Sequence, residues 1–216
     1  MLVRIVRHGE REGTFAGALQ GSRLDSPLSA LGLRQAECLA VRLAGEAIDA
    51  VWASPMVRAR ETAAAVAAPP GLGVLLDADL VEFDWGDWSG RPFTGEVEKE
   101  VSAVRARWRA GETELAPSGG ESPARAAVRA DRFLGRLRAS GAQAPFVVAH
   151  GRFNRILMTR LLGRELGRMD EIRQRNGSLS VFDWDGSSPA TPLLLDDVSH
   201  LPPELQTVSV LSDSVR

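Results

Sequence analysis

Two short apolar runs in this chain each end on the same dipeptide, and that repetition constrains the fold more than any other feature. Val3, Ile5 and Val6 form a β-branched run with almost no lead-in, and it stops at Arg7-His8-Gly9. Far downstream, Phe146-Val147-Val148-Ala149 runs straight into His150-Gly151. Short, continuous apolar runs bounded by glycine are the pattern of buried strands. The chain holds only 3 histidines, so two of them sit at strand ends followed by glycine. If both strands are neighbours in one parallel sheet, both imidazoles emerge at its carboxyl edge, where open α/β sheets bind ligands. Glycine after each histidine lets the backbone turn sharply and lets a ligand approach the N–H groups.

Between these anchors, strands and helices alternate. Residues 11–28 read as a loop. Ser29 is the expected N-cap of a helix to about Glu46, with Leu31, Gln35, Leu39 and Leu43 at helical spacing. A strand over Ala50–Ala53 ends in Ser54-Pro55, read as N-cap and first helical position of a helix over 56–68 that carries Arg58; Pro69-Pro70-Gly71 stops it. A third strand is expected at Val74–Leu76, helices at 94–109, 122–139 and 153–162, and two last strands at 179–184 and 192–195. The expected architecture is a three-layer α/β/α sandwich with a mostly parallel central sheet. It forms a single domain over residues 1–200, with a cap insertion near 83–120 and a tail at 201–216 that has little to bury.

The bulk properties exclude several function classes. A formal net charge of −2 creates no field favouring nucleic acid, and no apolar run approaches a membrane span. Cys38 is the only cysteine, so no intrachain disulfide forms and a reducing, cytoplasmic location is expected. No secretory signal is expected, because the first strand begins at residue 2.

Arg7 beside His8, with Arg58 near a helix N-terminus, would place guanidiniums and imidazoles around one anion. Arginine forks match phosphate oxygens, and helix N-termini add N–H donors. A neutral histidine whose other nitrogen is held by a hydrogen bond is a competent phosphoryl acceptor. The bland alternative keeps both histidines as polar loop residues, and a metal site finds no further ligand at suitable spacing. Glu82, flanked by Trp85 and Trp88, is the most interesting carboxylate, since an apolar wall favours the proton-carrying form that a general acid needs. Asp84 and Asp87 compete for that role.

The ordered set resembles a known family. Arg7-His8-Gly9-Glu10, Leu19-Gln20-Gly21, Asp25-Ser26-Pro27-Leu28-Ser29, Ser54-Pro55 with Arg58-Ala59 and Thr62-Ala63, the Glu82 loop with Gly86, Trp88 and Gly90, Gly119-Gly120-Glu121-Ser122 and His150-Gly151 resemble branch 1 of the histidine phosphatase superfamily, the phosphoglycerate mutase-like family. The resemblance implies the α/β sandwich read above, with a small cap over the site. It implies that His8 takes the phosphoryl group, that Arg7, Arg58 and His150 stabilise the transferring oxygens, and that Glu82 protonates the leaving oxygen and then activates water. It implies no metal and no diffusible cofactor. Gln20, Gly21 and Gly151 would contact the substrate. Where the family often has an asparagine that holds phosphate, this chain has Thr14.

Arg11 and Arg152 depart from the family's usual residues, and are expected at the pocket mouth, suiting a substrate with a second negative group. The segment from Gly90 to Glu121 is short, which favours a phosphatase over a phosphoglycerate mutase; a non-catalytic phospho-ligand sensor is the reading from another class. The expected partner is a small phosphorylated substrate, and the sheet edge near 179–195 would suit a homodimer.

Overall fold

The computed structural model describes residues 1–13, 17–68 and 71–207. Thr14 and the Pro69-Pro70 stop lie outside the described residues. One sheet carries the fold. Its six strands are β1 (Leu2–Arg7), β2 (Ala50–Ala53), β3 (Val74–Leu76), β4 (Pro145–Ala149), β5 (Leu179–Asp183) and β6 (Thr191–Asp197), in the order β3-β2-β4-β1-β5-β6. β3, β2, β4 and β1 pair in parallel, whereas β5 runs antiparallel to both β1 and β6. The expected mostly parallel sheet is therefore the observed one.

The central strands are buried on both faces, so their apolar residues alternate between two cores rather than between core and water. Val3, Ile5, Val147 and Ala149 face one core, built with α3 (Gly95–Arg109), α4 (Pro123–Ala139) and α5 (Gly151–Leu161). Val6, Phe146 and Val148 face the other, with α1 (Ala30–Leu43) and α2 (Val57–Ala67). Helices on both sides of one sheet make the three layers.

Local side-chain chemistry caps two of the five α-helices among the described residues. Ser29 caps α1 by accepting from Gly32 N, and Ser122 caps α4 by accepting from Arg125 N. Two expectations need correction. Ser54 is not the N-cap of α2: Met56 holds that position without a side-chain bond, and Asp25 accepts the Val57 N–H at 3.0 Å instead. The Ser54 hydroxyl instead accepts from Met56 N at 3.3 Å, just ahead of the helix, and pairs with His150 Nε2 at 2.8 Å. α5 begins at Gly151 rather than Phe153, so no loop separates strand from helix.

Residues 201–207 are also no loose tail. Leu201 and Leu205 are buried beside Val198 in a small satellite core, and the Gln35 amide donates to Leu205 O at 2.6 Å. The remainder of the expected tail, 208–216, lies outside the described residues. Among the described residues no helix is long and apolar enough to cross a membrane.

Candidate active site

Strand register brings the two histidines together. Arg7 pairs with Ala149 across β1 and β4, so His8 and His150 leave the sheet at one level, and His8 N donates to Ala149 O at 3.1 Å. Their rings meet edge to face with centroids 5.1 Å apart. The Gly9 N–H donates to Thr62 Oγ1 on α2, which ties the turn after His8 to the opposite layer. A side chain on Gly9 would collide with the Gly32 carbonyl, its Cβ falling 2.6 Å from that oxygen, so glycine is what lets α1 approach.

The tautomer of His8 follows from its neighbours. Nδ1 lies 2.6 Å from the carbonyl of Gly9, which can only accept, so Nδ1 carries the proton. Nε2 is left with its lone pair, and the Arg58 Nε–H donates to it at 3.2 Å. Burial, then the positive charges of Arg58 and Arg7, push the His8 pKa well below that of a free imidazole. His150 is shifted the same way by burial, Arg58 and His8. Its Nε2 lies 2.8 Å from Ser54 Oγ, while its buried Nδ1 meets no protein partner. Both rings are neutral at pH 7.

The guanidiniums are fixed by different devices. Arg7 donates to Gln174 O at 2.6 Å and its buried Nε has no protein acceptor. Arg58 is 2% exposed and is held by Leu24 O and by Asp25 Oδ1, each at 3.2 Å. Burial first, and then Arg58 and Arg7, lower the pKa of Arg11 to about 10. A cavity of about 380 Å³ opens on this group, lined also by Gln20, Gly21, Glu82, Trp85, Gly151 and Arg152. Gln20 is buried there with neither amide atom bonded to protein.

Glu82 reaches the cavity, but its surroundings are not the apolar wall expected from Trp85 and Trp88. Its carboxylate accepts from Phe153 N at 2.9 Å, from Arg152 N at 3.3 Å and from its own neighbour Phe83 N at 2.9 Å. The first two are orphan donors of the first turn of α5, available because that helix starts at Gly151. Arg129 on α4 anchors the segment that carries Glu82, donating to Asp79 O and Val81 O at 2.5 and 3.0 Å and bridging to Glu121. Asp84 and Asp87 do not share the position. Asp84 binds Arg23 and Gly86 N, and Asp87 accepts from Ser118.

Arg152 departs from expectation more sharply. It lines the cavity but is buried, stacked 5.3 Å from the Trp85 ring and paired with Asp170. It does not stand at an exposed mouth, because it lies in the first turn of α5 and that turn packs inward. Gly151 sits where a Cβ would fall 3.1 Å from the Arg7 guanidinium, and Gly21 has φ +62° with a Cβ position 2.6 Å from Phe83 O. Asp25, Ser54, Thr62, Gln174 and Asp170 escaped the sequence reading as site residues. Only the first three lay inside recognised motifs, and nothing in local sequence links Asp170 to the site. No group of three or more potential metal ligands occurs among the described residues.

A family model for the histidine phosphatase superfamily (branch 1) matches residues 3–197. Phosphoserine phosphatase 1 of Hydrogenobacter thermophilus is 34% identical over 84% of this chain and 85% of its own length. A Yersinia pestis protein named "Probable phosphoglycerate mutase GpmB" is 31% identical over 86% of each chain. Among solved structures, the alpha-ribazole phosphatase of Shigella flexneri superposes with a TM-score of 0.79 at 29% identity, covering 91% of this chain and 96% of its own.

Proposed function

The chain belongs to branch 1 of the histidine phosphatase superfamily, and on that footing we propose that it hydrolyses a small phosphorylated metabolite through a phosphohistidine on His8. The observation that carries the reading is the neutral His8 imidazole, with Nδ1 protonated by its bond to Gly9 O and Nε2 beside Arg58.

The chemistry follows from that arrangement. The Nε2 lone pair attacks phosphorus and the ester P–O bond breaks. Arg7, Arg58 and Arg11 neutralise the phosphoryl oxygens in flight, the task a metal ion performs elsewhere. His150 joins them: with the Ser54 hydroxyl donating to Nε2, its proton sits on Nδ1, which meets no protein acceptor. Glu82, whose Oε1 takes both short N–H bonds and whose Oε2 takes only the 3.3 Å bond from Arg152 N, delivers a proton from Oε2 to the leaving oxygen, then takes one from the water that breaks the P–N bond. Gln20 offers its unpaired amide to the substrate, Gly21 and Gly151 let backbone and Arg7 approach, and Thr14 remains the candidate for the family's phosphate-binding asparagine. The scheme needs no metal and no diffusible cofactor.

The mutase-named relative supports a second reading, in which a phosphoglycerate rather than water discharges the phosphoenzyme. Hydrolysis of p-nitrophenyl phosphate by purified protein in EDTA, with His8→Ala alongside, tests the main one. EDTA-resistant release that vanishes in the variant is expected; release surviving in His8→Ala would sink the mechanism. Labelled 2,3-bisphosphoglycerate separates hydrolysis from transfer. The lone cysteine supports a cytoplasmic location, and exposed Leu193 and Leu195 on edge strand β6 support a homodimer.

A further inference from the structure

Glu82 stands where packing does little to hold it. It borders the catalytic cavity and also a second one, of about 470 Å³, lined by Ser22, Val81, Asp84, Gly119, Glu121 and Arg129 among others; no other residue lines both. Open space on two sides leaves a side chain its rotamer freedom, yet a general acid must stand within hydrogen-bond reach of the leaving oxygen.

The chain around it is clamped instead. Arg129 on α4 donates to Asp79 O at 2.5 Å and to Val81 O at 3.0 Å, gripping the segment just ahead of Glu82. Just beyond Glu82, Asp84 O accepts from Glu121 N at 2.9 Å. A two-pronged bridge from Arg129 Nε and Nη2 to the Glu121 carboxylate, both bonds 2.8 Å, closes the ring. The Arg129 guanidinium also lies 4.5 Å over the ring of Phe153, whose N–H makes the shorter of the two α5 bonds to the Glu82 carboxylate. One side chain therefore touches the backbone before Glu82, the residue that fixes the backbone after it, and the residue that binds its carboxylate. A planar fork with five donors can span these partners, whereas the compact ammonium of lysine cannot.

We propose that Arg129 is the positioning residue of the general acid, setting where Glu82 Oε2 stands when its proton passes to the leaving oxygen. The inference rests on the phosphatase reading and on the role given there to Glu82. As His8 Nε2 bonds to phosphorus, the ester P–O bond breaks and the leaving oxygen takes the proton from Oε2. Arg129 touches none of these atoms. Misplacing a reacting group by about 1 Å can cost on the order of a hundredfold in rate, so the clamp acts on the chemistry without contacting it.

The test compares two aryl esters in Arg129→Gln. 2,4-Dinitrophenyl phosphate releases a phenolate stable enough to leave without a proton, whereas phenyl phosphate needs the acid. Their kcat/KM values report only the steps through formation of the phosphoenzyme, so the later attack of water does not enter. For phenyl phosphate kcat/KM should fall about tenfold or more, and for 2,4-dinitrophenyl phosphate by less than about twofold. In a Glu82→Gln background, Arg129→Gln should produce no further loss on phenyl phosphate, since a residue acting through Glu82 then has nothing to place. Glu121→Gln, which loosens the bridge but leaves the Arg129 donors to Asp79 and Val81 in place, should show the same ester selectivity on a smaller scale, and it carries the test if Arg129→Gln folds poorly. An equal fall on both esters in these variants, or an undiminished loss in the Glu82→Gln background, would overturn the clamp and leave the phosphatase reading standing. If Glu82→Gln itself falls equally on both esters, the general-acid reading fails and the clamp fails with it.

Discussion

An imidazole held between two arginines resists protonation, and this fixes how His8 responds to acid. Its pKa lies well below the ordinary value, so the imidazole remains neutral where a surface histidine has begun to charge. The acid limb of the kcat/KM profile should therefore fall well below the free imidazole value; a limb centred on about 6.5, that free value, would contradict the burial argument. Stability carries the same sign. The unfolded chain binds protons below about pH 6.5 that folded His8 and His150 refuse, so stability is full above that pH and is lost as pH falls through it. Each buried histidine should cost on the order of 1 kcal/mol at pH 5.5, seen as a lower urea midpoint than at pH 7.5.

Elements bring these residues into range, and two of them do so by close approach. Gly32 lies in α1, where alanine is ordinarily better than glycine by about 1 kcal/mol. Here an added methyl would overlap the Glu10 carbonyl of the turn after His8. Gly32→Ala should thus destabilise, by about 1–3 kcal/mol in denaturant melts, because overpacking outweighs propensity. Asp25 does two tasks from a loop, capping α2 at Val57 N and holding the Arg58 guanidinium. Asp25→Ala should lose about 1 kcal/mol of stability through the cap and lower kcat more than tenfold through Arg58. A normal kcat with reduced stability would leave Asp25 as a cap alone.

The assembled molecule places a strongly cationic cavity within a chain of net charge −2, so the attraction is local rather than global. Orthovanadate, which shares phosphate's charge and can add an axial ligand, should bind the folded state only. At a hundredfold excess over its Kd it should stabilise by about 2.7 kcal/mol, read as a rise in Tm. That rise should shrink in Arg58→Ala. A Tm indifferent to vanadate would argue that the cavity is not an oxyanion site.

Much of this was legible along the chain, because the signals are local. Apolar runs ending in His-Gly need only neighbouring residues to state a buried strand and a tight turn, and Ser29 and Ser122 cap helices with bonds spanning three residues. Those signals pointed to the α/β layering and, if the two strands are neighbours, to a shared sheet edge for His8 and His150, whereas the roles of Arg58 and Glu82 rested on the ordered set of motifs that resembles the family. The tertiary structure decided what depends on partners distant in sequence. Ser54 stands two residues ahead of the α2 N-cap and pairs with His150, 96 residues away. Glu82 met the N–H groups of α5 instead of an apolar wall, because the strand-to-helix turn at His150 has no loop. Arg152 turned from the mouth to Asp170, a carboxylate that no local pattern marks. Hydrogen-bonding and ionic partners in a buried site are chosen by packing, and packing is a property of the whole chain.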